Sequence, residues 1–199
     1  MTYKVLDLFS GLGGWSSAFW DDEDCQVIRV DNDDRFDSTI CIDINKTDEL
    51  IRILEGWGHT EFDLILASPP CVEFYKVDKP YYPEEYGKTP DMSLVESTMQ
   101  IINHFQPPIY VIENSKHGKK WIEPHIGKVS HKIGSYFLWG HFPKFFCQVE
   151  SKFKNDPWSS DPFRAAKRAK IPRVMSAALL DAIKNQTTLI DYLDFDGSC

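Results

Sequence analysis

Apolar residues arrive along this chain in short bursts, and each burst ends in glycine, proline or an acidic residue. Residues 3–9, YKVLDLF, predict a buried strand that runs into SGLGG and then an apolar helical stretch, WSSAFW. Residues 26–30 predict a second strand ending at Asp31, and residues 39–42 a short third strand followed by Asp43. A helix is predicted over 48–56. A fourth strand over 62–67 ends in Ser68-Pro69-Pro70-Cys71. Residues 72–91 read as a long polar loop rich in Tyr and Pro. A helix over 94–105 leads to a fifth strand over 109–112, closing on Glu113-Asn114. Further strands are predicted over 136–139 and 145–149, and a late helix over 174–183. Short apolar strands alternating with helices point to an α/β fold with a doubly wound, mostly parallel sheet.

In such sheets ligands bind outside the carboxyl ends of the strands. Ser10 to Gly14, Asp31, Asp43, Cys71 and Glu113-Asn114 all fall there. That coincidence says more than any one of these residues.

Composition narrows the picture. A chain of 199 residues suits one domain, and 42% hydrophobic content supports a real core. No stretch approaches a membrane span, and the first residues lack the charged and apolar regions of a signal peptide, which predicts a cytoplasmic protein, of a cell or of a virus-infected host. Five cysteines without a CxxC pair argue against a zinc ribbon or a disulfide scaffold. The six histidines show no pair at metal-ligand spacing, so no metal is expected. The formal charge is −8, yet residues 116–173 carry 13 Lys/Arg against 4 Asp/Glu. Such polarity suits a basic face on an acidic protein, and suits an ordinary solvated surface about as well.

The glycines after the first strand permit a tight turn and close approach of backbone to a ligand, and equally a tight join for packing. Asp31 at the second strand end can accept hydrogen bonds from both hydroxyls of a ribose. Asp43 is placed to meet the amino group of an adenine or to cap the helix that follows. No GxxxxGK[ST] loop is present. An adenosine ligand without a phosphate grip favours S-adenosylmethionine over a nucleoside triphosphate. Cys71 stands on a stiff Pro-Pro elbow, because neither proline can donate a backbone hydrogen bond and each holds its predecessor extended.

DLFSGLGG, SPPC and IEN, in this order and at these strand ends, resemble the motifs of the DNA cytosine-C5 methyltransferases. The resemblance covers residues 3–115 well; SYFLWG (135–140) and IPRVMSAALLDAI (171–183) resemble a later strand and the closing helix more weakly. It implies a Rossmann-like class I S-adenosylmethionine-dependent methyltransferase acting on DNA. Phe9, Ser10, Gly11, Gly13, Gly14, Asp31, Asp43, Ile44 and Pro69 would then line the cofactor site. Cys71 would be the nucleophile that adds to C6 of cytosine. Glu113 would meet N3 and the exocyclic amine, Asn114 would hold the catalytic loop, and Lys132 would supply positive charge. Cys25, Cys41, Cys147 and Cys199 read as packing or surface residues. Tyr75, Tyr81, Tyr82 and Tyr86, interleaved with Lys76, Lys79 and Lys88, suit base stacking and phosphate contact, or a lid over any small substrate.

Three departures from the family pattern matter. The Gln-x-Arg-x-Arg segment is replaced by SHKIG, in which Lys132 alone keeps a positive charge. The Asn-Ser before the closing motif is replaced by Ala169-Lys170, so that cofactor contact does not carry over. Between Gly140 and Arg164 there is no room for a target-recognition domain. Residues 152–173 are expected to bind phosphates without reading bases, so the DNA would be single-stranded or a non-specific duplex, or recognition would come from a protein partner. The departures leave C5 modification of RNA or of a free pyrimidine nucleotide open. They equally leave open a non-catalytic nucleic-acid-binding protein.

Overall fold

The computed structural model describes residues 2–149 and 160–194. Its centre is a sheet of strands β1 (Tyr3–Leu8), β2 (Cys25–Asp31), β3 (Ile40–Cys41), β4 (Leu64–Ala67), β5 (Ile109–Asn114), β6 (His131–Ile133) and β7 (Tyr136–His141). The spatial order is β3-β2-β1-β4-β5-β7-β6. The first five strands pair in parallel; β7 runs antiparallel to both β5 and β6. The chain winds outward from β1 to β3, returns to β4 beside β1, and continues the other way. This is the doubly wound, mostly parallel sheet the pattern predicts and the Rossmann-like fold the resemblance implies, with its switch point between β1 and β4.

Both faces of the sheet are covered, which is why its central strand β4 is apolar at every position. β4 shows this directly: Ile65 and Ala67 enter one core layer, and Leu64 and Leu66 the other. The first layer takes α2 (Thr47–Gly56), α4 (Ser93–Phe105) and α5 (Lys119–Ile126), through residues such as Leu50, Leu54, Ile101, Phe105 and Ile122. The second takes α1 (Ser17–Trp20) and α7 (Arg173–Asp194), through Phe19, Met175, Leu179 and Ile183. Ser176 pins these two helices together: its hydroxyl donates to the Trp15 carbonyl at 2.5 Å and accepts from the Ala18 amide at 3.0 Å. Among the described residues no helix is long and apolar enough to cross a membrane.

Several elements differ from the pattern's reading. The loop over 72–91 opens with a helix, α3 (Val72–Val77), because Phe74 and Val77, three residues apart, both find the core. α1 begins later than expected, since residues 11–16 are spent on the turn. α5 forms despite Pro124 inside it, with Ile122 and Ile126, four residues apart, on the first core layer, whereas α6 (Arg164–Ala169) buries no residue and had no apolar stripe to announce it. The strand expected over 145–149 is absent. β6 already occupies the outer edge of β7, so this segment crosses the second core layer instead. Phe145 is buried there, and its carbonyl meets His131 Nε2 at 2.8 Å. Part of the basic stretch 152–173 and Cys199 lie outside the described residues. Cys25 and Cys147 are half-buried and Cys41 is exposed.

Asp7 is an acid buried deep in this interior. It is 1% exposed on β1, facing Ser16 and near Arg29. Burial pushes its pKa up to about 7, against the lowering pull of Ser16 and Arg29. A raised carboxyl pKa means the folded state keeps a proton that the unfolded chain releases. This group's contribution to stability therefore falls as pH rises from about 4 to about 7. Asp7→Asn, which mimics the protonated form, is expected to gain stability relative to wild type across that window. Urea midpoints of both proteins at pH 4.5 and pH 8 test this; a constant difference between them would refute it.

Candidate active site

At the carboxyl end of β1 the backbone turns through the left-handed region at Phe9 (φ 60°), Gly11 (φ 48°) and Gly13 (φ 64°). The turn is tight: the Gly13 amide donates to the Ser10 carbonyl at 2.7 Å, and the Ser10 amide donates to the Val30 carbonyl at 3.0 Å. Its glycines serve different ends. A Cβ on Gly13 would meet the Arg29 guanidinium at 2.7 Å, and one on Gly14 would meet Ile171 N and O at 2.6 and 2.7 Å. Gly11 would meet nothing within 4 Å. Gly13 and Gly14 are therefore small so that the protein can pack against the loop, whereas Gly11 borders open space.

Asp31 is buried at the end of β2 and organises the same loop. Its Oδ2 accepts from the Gly11 amide at 2.8 Å and its Oδ1 from the Asp33 amide at 3.0 Å. Each oxygen keeps a second lone pair for a ligand. Ser10 is 7% exposed, and its Oγ has no hydrogen-bond partner among the described residues. A buried hydroxyl left in this state is costly unless a ligand completes it. Asp43 is exposed; its Oδ1 accepts from the Asn45 amide at 2.9 Å, so it shapes the turn before α2 but is not its N-cap, a position held by Lys46. Ile44 is buried in the first core layer, and Phe9 packs against that layer. Ser10, Gly11 and Asp31 fit the adenosine end of S-adenosylmethionine: a diol for the carboxylate, polar groups for the serine, and no phosphate to grip.

Across the switch point, β4 ends in the elbow. Pro69 is buried, whereas Pro70 and Cys71 are exposed. Cys71 sits at the N-cap of α3, outside any disulfide, and its carbonyl accepts from the Tyr75 amide at 3.2 Å. It is no buried filler. Asn114, at the end of β5, is buried and ties the elbow down: its Nδ2 donates to the Pro69 carbonyl at 2.9 Å while its Oδ1 accepts from the Ser115 amide at 2.8 Å. Gly118 must be small, since a Cβ there would lie 2.6 Å from Asn114 Oδ1.

A second tie follows α3. Asp78 pairs with Lys120 Nζ at 2.8 Å and His117 Nδ1 at 2.9 Å, contacts that hold its carboxyl below the usual range. Tyr75 packs edge-on against His117, Tyr81 and Tyr82, and its hydroxyl bonds that of Tyr81. Residues 72–91 carry five acids against three lysines, of which Lys76 is paired with Glu73 and Lys79 lies over Tyr75. Tyr81 and Tyr86 are the exposed rings of this loop, and its net charge does not favour phosphate.

Glu113 is half-buried and shares a face of the sheet with Leu138, its partner on β7, and with His131 beyond. The Tyr136 hydroxyl lies within reach of its charge: burial, and then Glu113, push the phenol up to about 12. Lys132 falls in the other row, with Phe137 and Asn114, and its Nζ lies over the Phe137 ring. The clasp at Asp78 and the phenol beside Glu113 were invisible in the sequence, because both depend on pairing between distant segments. Among the described residues no group of three or more His, Cys, Asp or Glu is placed to hold a metal.

Comparison with known proteins adds to this geometry. The family model described as C-5 cytosine-specific DNA methylase matches residues 3–121. That span holds the glycine turn, the Cys71 elbow and Glu113-Asn114; Lys132 and α7 lie beyond it. The chain is similar to a protein of Frog virus 3 (isolate Goorha) described as "Probable DNA (cytosine-5)-methyltransferase", with 27% identity over 156 residues, 69% of this chain and 66% of the viral one. A solved structure of a candidate DNA modification methyltransferase encoded within an E. coli prophage is 21% identical, with a TM-score of 0.41, over 59% of this chain and 33% of that one. The chain thus spans slightly under two thirds of the viral relative's length and a third of the prophage protein's.

The Asn114 tie makes a stability prediction. Asn114→Ala leaves the Pro69 carbonyl and the Ser115 amide without their partner, at a cost of about 1–3 kcal/mol. Urea unfolding should show this loss, and limited proteolysis should cut within residues 72–91 faster than in wild type. A variant with wild-type stability and wild-type cleavage would show that the elbow is held elsewhere.

Proposed function

Because the chain belongs to the C-5 cytosine-specific DNA methylase family, we propose that it transfers a methyl group from S-adenosylmethionine to C5 of cytosine in DNA. The observation that carries this reading is the exposed Cys71 on an elbow tied by Asn114 to the end of β5, which also bears Glu113. An exposed thiol on an elbow anchored at Pro69 suits a nucleophile and ill suits a packing residue.

Cytosine C5 is a poor nucleophile by itself. The Cys71 thiolate adds to C6, forming the S–C6 bond and pushing the ring's electron pair toward C5. Glu113 hydrogen-bonds N3 and the exocyclic amine and stabilises the charge that builds as the thiolate attacks. When bound, S-adenosylmethionine supplies an electrophilic methyl on a sulfonium sulfur. Once C5 carries the methyl, loss of the C5 proton to a base breaks the S–C6 bond and returns the thiolate. Asp31, Ser10 and the Gly11 side of the turn hold the cofactor's adenosine. Lys132, in the row opposite Glu113 with its Nζ over the Phe137 ring, is given no role at the base in this scheme. A base inside a duplex has to leave the stack to reach Cys71, and the tyrosines of residues 72–91 are suited to receive it.

The decisive assay incubates the protein with labelled cofactor and DNA, RNA or free pyrimidine nucleotides, then identifies the labelled nucleoside. 5-Methylcytosine in DNA is expected; label confined to RNA or to a free nucleotide would move the substrate, and none anywhere would remove the enzyme reading. Cys71→Ser should keep cofactor binding and lose methyl transfer, since a serine hydroxyl is barely ionised near neutral pH. A 5-fluorocytosine substrate should trap wild type covalently, only in the presence of cofactor, because fluorine blocks the final elimination. Wild-type turnover by Cys71→Ser would mean abandoning the mechanism.

Asp31→Ala should weaken cofactor binding by about 1.5–3 kcal/mol, the scale of hydrogen bonds to a charged group. It should also lower the melting temperature, because the Gly11 and Asp33 amides lose their acceptor. Calorimetric titration and thermal unfolding separate the two effects; unchanged affinity would put the ribose elsewhere.

A further inference from the structure

Both ties on the segment around Cys71 run to one short stretch of chain. Asn114 holds the Pro69 carbonyl before Cys71, and His117 and Lys120 hold Asp78 after it. Residues 115–122 are SKHGKKWI, with three lysines, a histidine and no acid. Lys116, Lys119 and Lys120 are exposed, and Lys119 reaches Glu123 on its own helix at 3.8 Å. Positive charge is therefore concentrated beside the elbow, and the mechanism above leaves it unused.

His117 and Lys120 already grip an oxyanion. Asp78 Oδ2 lies 2.9 Å from His117 Nδ1 and Asp78 Oδ1 lies 2.8 Å from Lys120 Nζ, so each nitrogen takes one oxygen. A phosphate offers the same pair of oxygens. The Lys120 ammonium stands 4.7 Å from the Trp121 ring, and the Tyr75 ring packs edge-on against His117 at 5.2 Å. The carboxylate is not a buried occupant: the Asp78 side chain keeps 24% of its exposure and that of Lys120 keeps 60%. A pair this wet is weak, and exchange of Asp78 for another anion costs little.

Distance suits a nucleic-acid strand. The six residues of α3 separate Cys71 from Asp78 by roughly 9 Å, at a rise of about 1.5 Å per residue. With one phosphate per ~3.4 Å along a strand, a cytosine at Cys71 brings a phosphate about two or three nucleotides away to His117 and Lys120.

We propose that His117 and Lys120 bind a backbone phosphate of the DNA, and that Asp78 holds its place in the free protein. The arriving phosphate displaces Asp78 and unlatches the end of α3, which frees residues 72–91 to move over the base. The phosphate binds the unlatched state alone, so the strand itself shifts the loop toward release. This rests on the action on DNA proposed above; it names cations that meet the strand and makes loop release a consequence of substrate binding.

The test titrates a fluorescein-labelled oligonucleotide containing cytosine, single-stranded or duplex, with the full chain at several salt concentrations and reads anisotropy. Lys120→Met should bind about tenfold more weakly, and its plot of log affinity against log salt should be shallower by about 0.7 for the single strand or 0.9 for the duplex, the loss of one phosphate contact. Lys120→Arg should keep most of the affinity. Asp78→Asn should bind about threefold more tightly than wild type, because the competing carboxylate is gone. The opposite signs are decisive: a clasp that served only to hold the loop would make both substitutions act in the same direction. Thermal unfolding checks that each variant folds, and Asp78→Ser replaces Asp78→Asn if it does not. Equal or weaker binding by the Asp78 variant overturns the proposal, as does wild-type affinity and salt slope in Lys120→Met. If wild type binds neither oligonucleotide, the action on DNA itself falls, an outcome distinct from both.

Discussion

β1 and β4 lie side by side and parallel, Val5 against Leu64 through Leu8 against Ala67, and everything functional in this molecule depends on that pairing. Parallel strands deliver their carboxyl ends to the same edge. The glycine turn leaves from one, the Pro-Pro-Cys elbow from the other, and the winding reverses direction between them. A crevice at that point follows from topology alone. The pairing is secured by burial on both faces, since Leu64, Ile65, Leu66 and Ala67 send alternate side chains into two core layers. A slip of one residue would exchange the layers and turn Asp7 into the wrong one.

Around this crevice the protein uses glycine for two purposes. Gly13 and Gly14 let Arg29 and the Ile171 peptide come within contact of the turn, so the loop is clamped from behind. Gly11 leaves its other side open. The clamp places charges close together: Asp7 is buried near Arg29 and Asp31, and burial outweighs the help it receives. Asp31 is a loop anchor and, in the function proposed above, also the ribose contact, a reading under which cofactor affinity and local stability would be coupled through one carboxylate.

On the other side of the crevice the ties are polar. Asn114 holds the Pro69 carbonyl, and Asp78 holds Lys120 and His117 from the far end of α3. Cys71 lies between these two fastenings, exposed yet positioned. The tyrosines of residues 72–91 gather on the same side. Two of that loop's three lysines are already engaged, and among the described residues other cations cluster elsewhere, over 116–120 and on α6.

Much of this was legible in the order of residues. Strand ends could be read because an apolar burst must stop where the chain leaves a buried sheet, and Ser10, Asp31, Cys71 and Glu113 stand at those stops. The parallel winding followed from the alternation of strands and helices, and the Pro-Pro elbow from the stiffness of proline. What tertiary structure alone decided were relations between distant segments. The antiparallel register of β7 sets Tyr136 beside Glu113 and puts Lys132 in the opposite row. β6 takes the sheet edge and turns the expected strand at 145–149 into a crossing segment. Asp78 finds Lys120 across 42 residues, and Gly14 finds Ile171 across most of the chain. Periodicity and turn residues are local properties, encoded within a few positions. Register and clasp geometry exist only once strand order is fixed, and no short stretch of sequence carries that information.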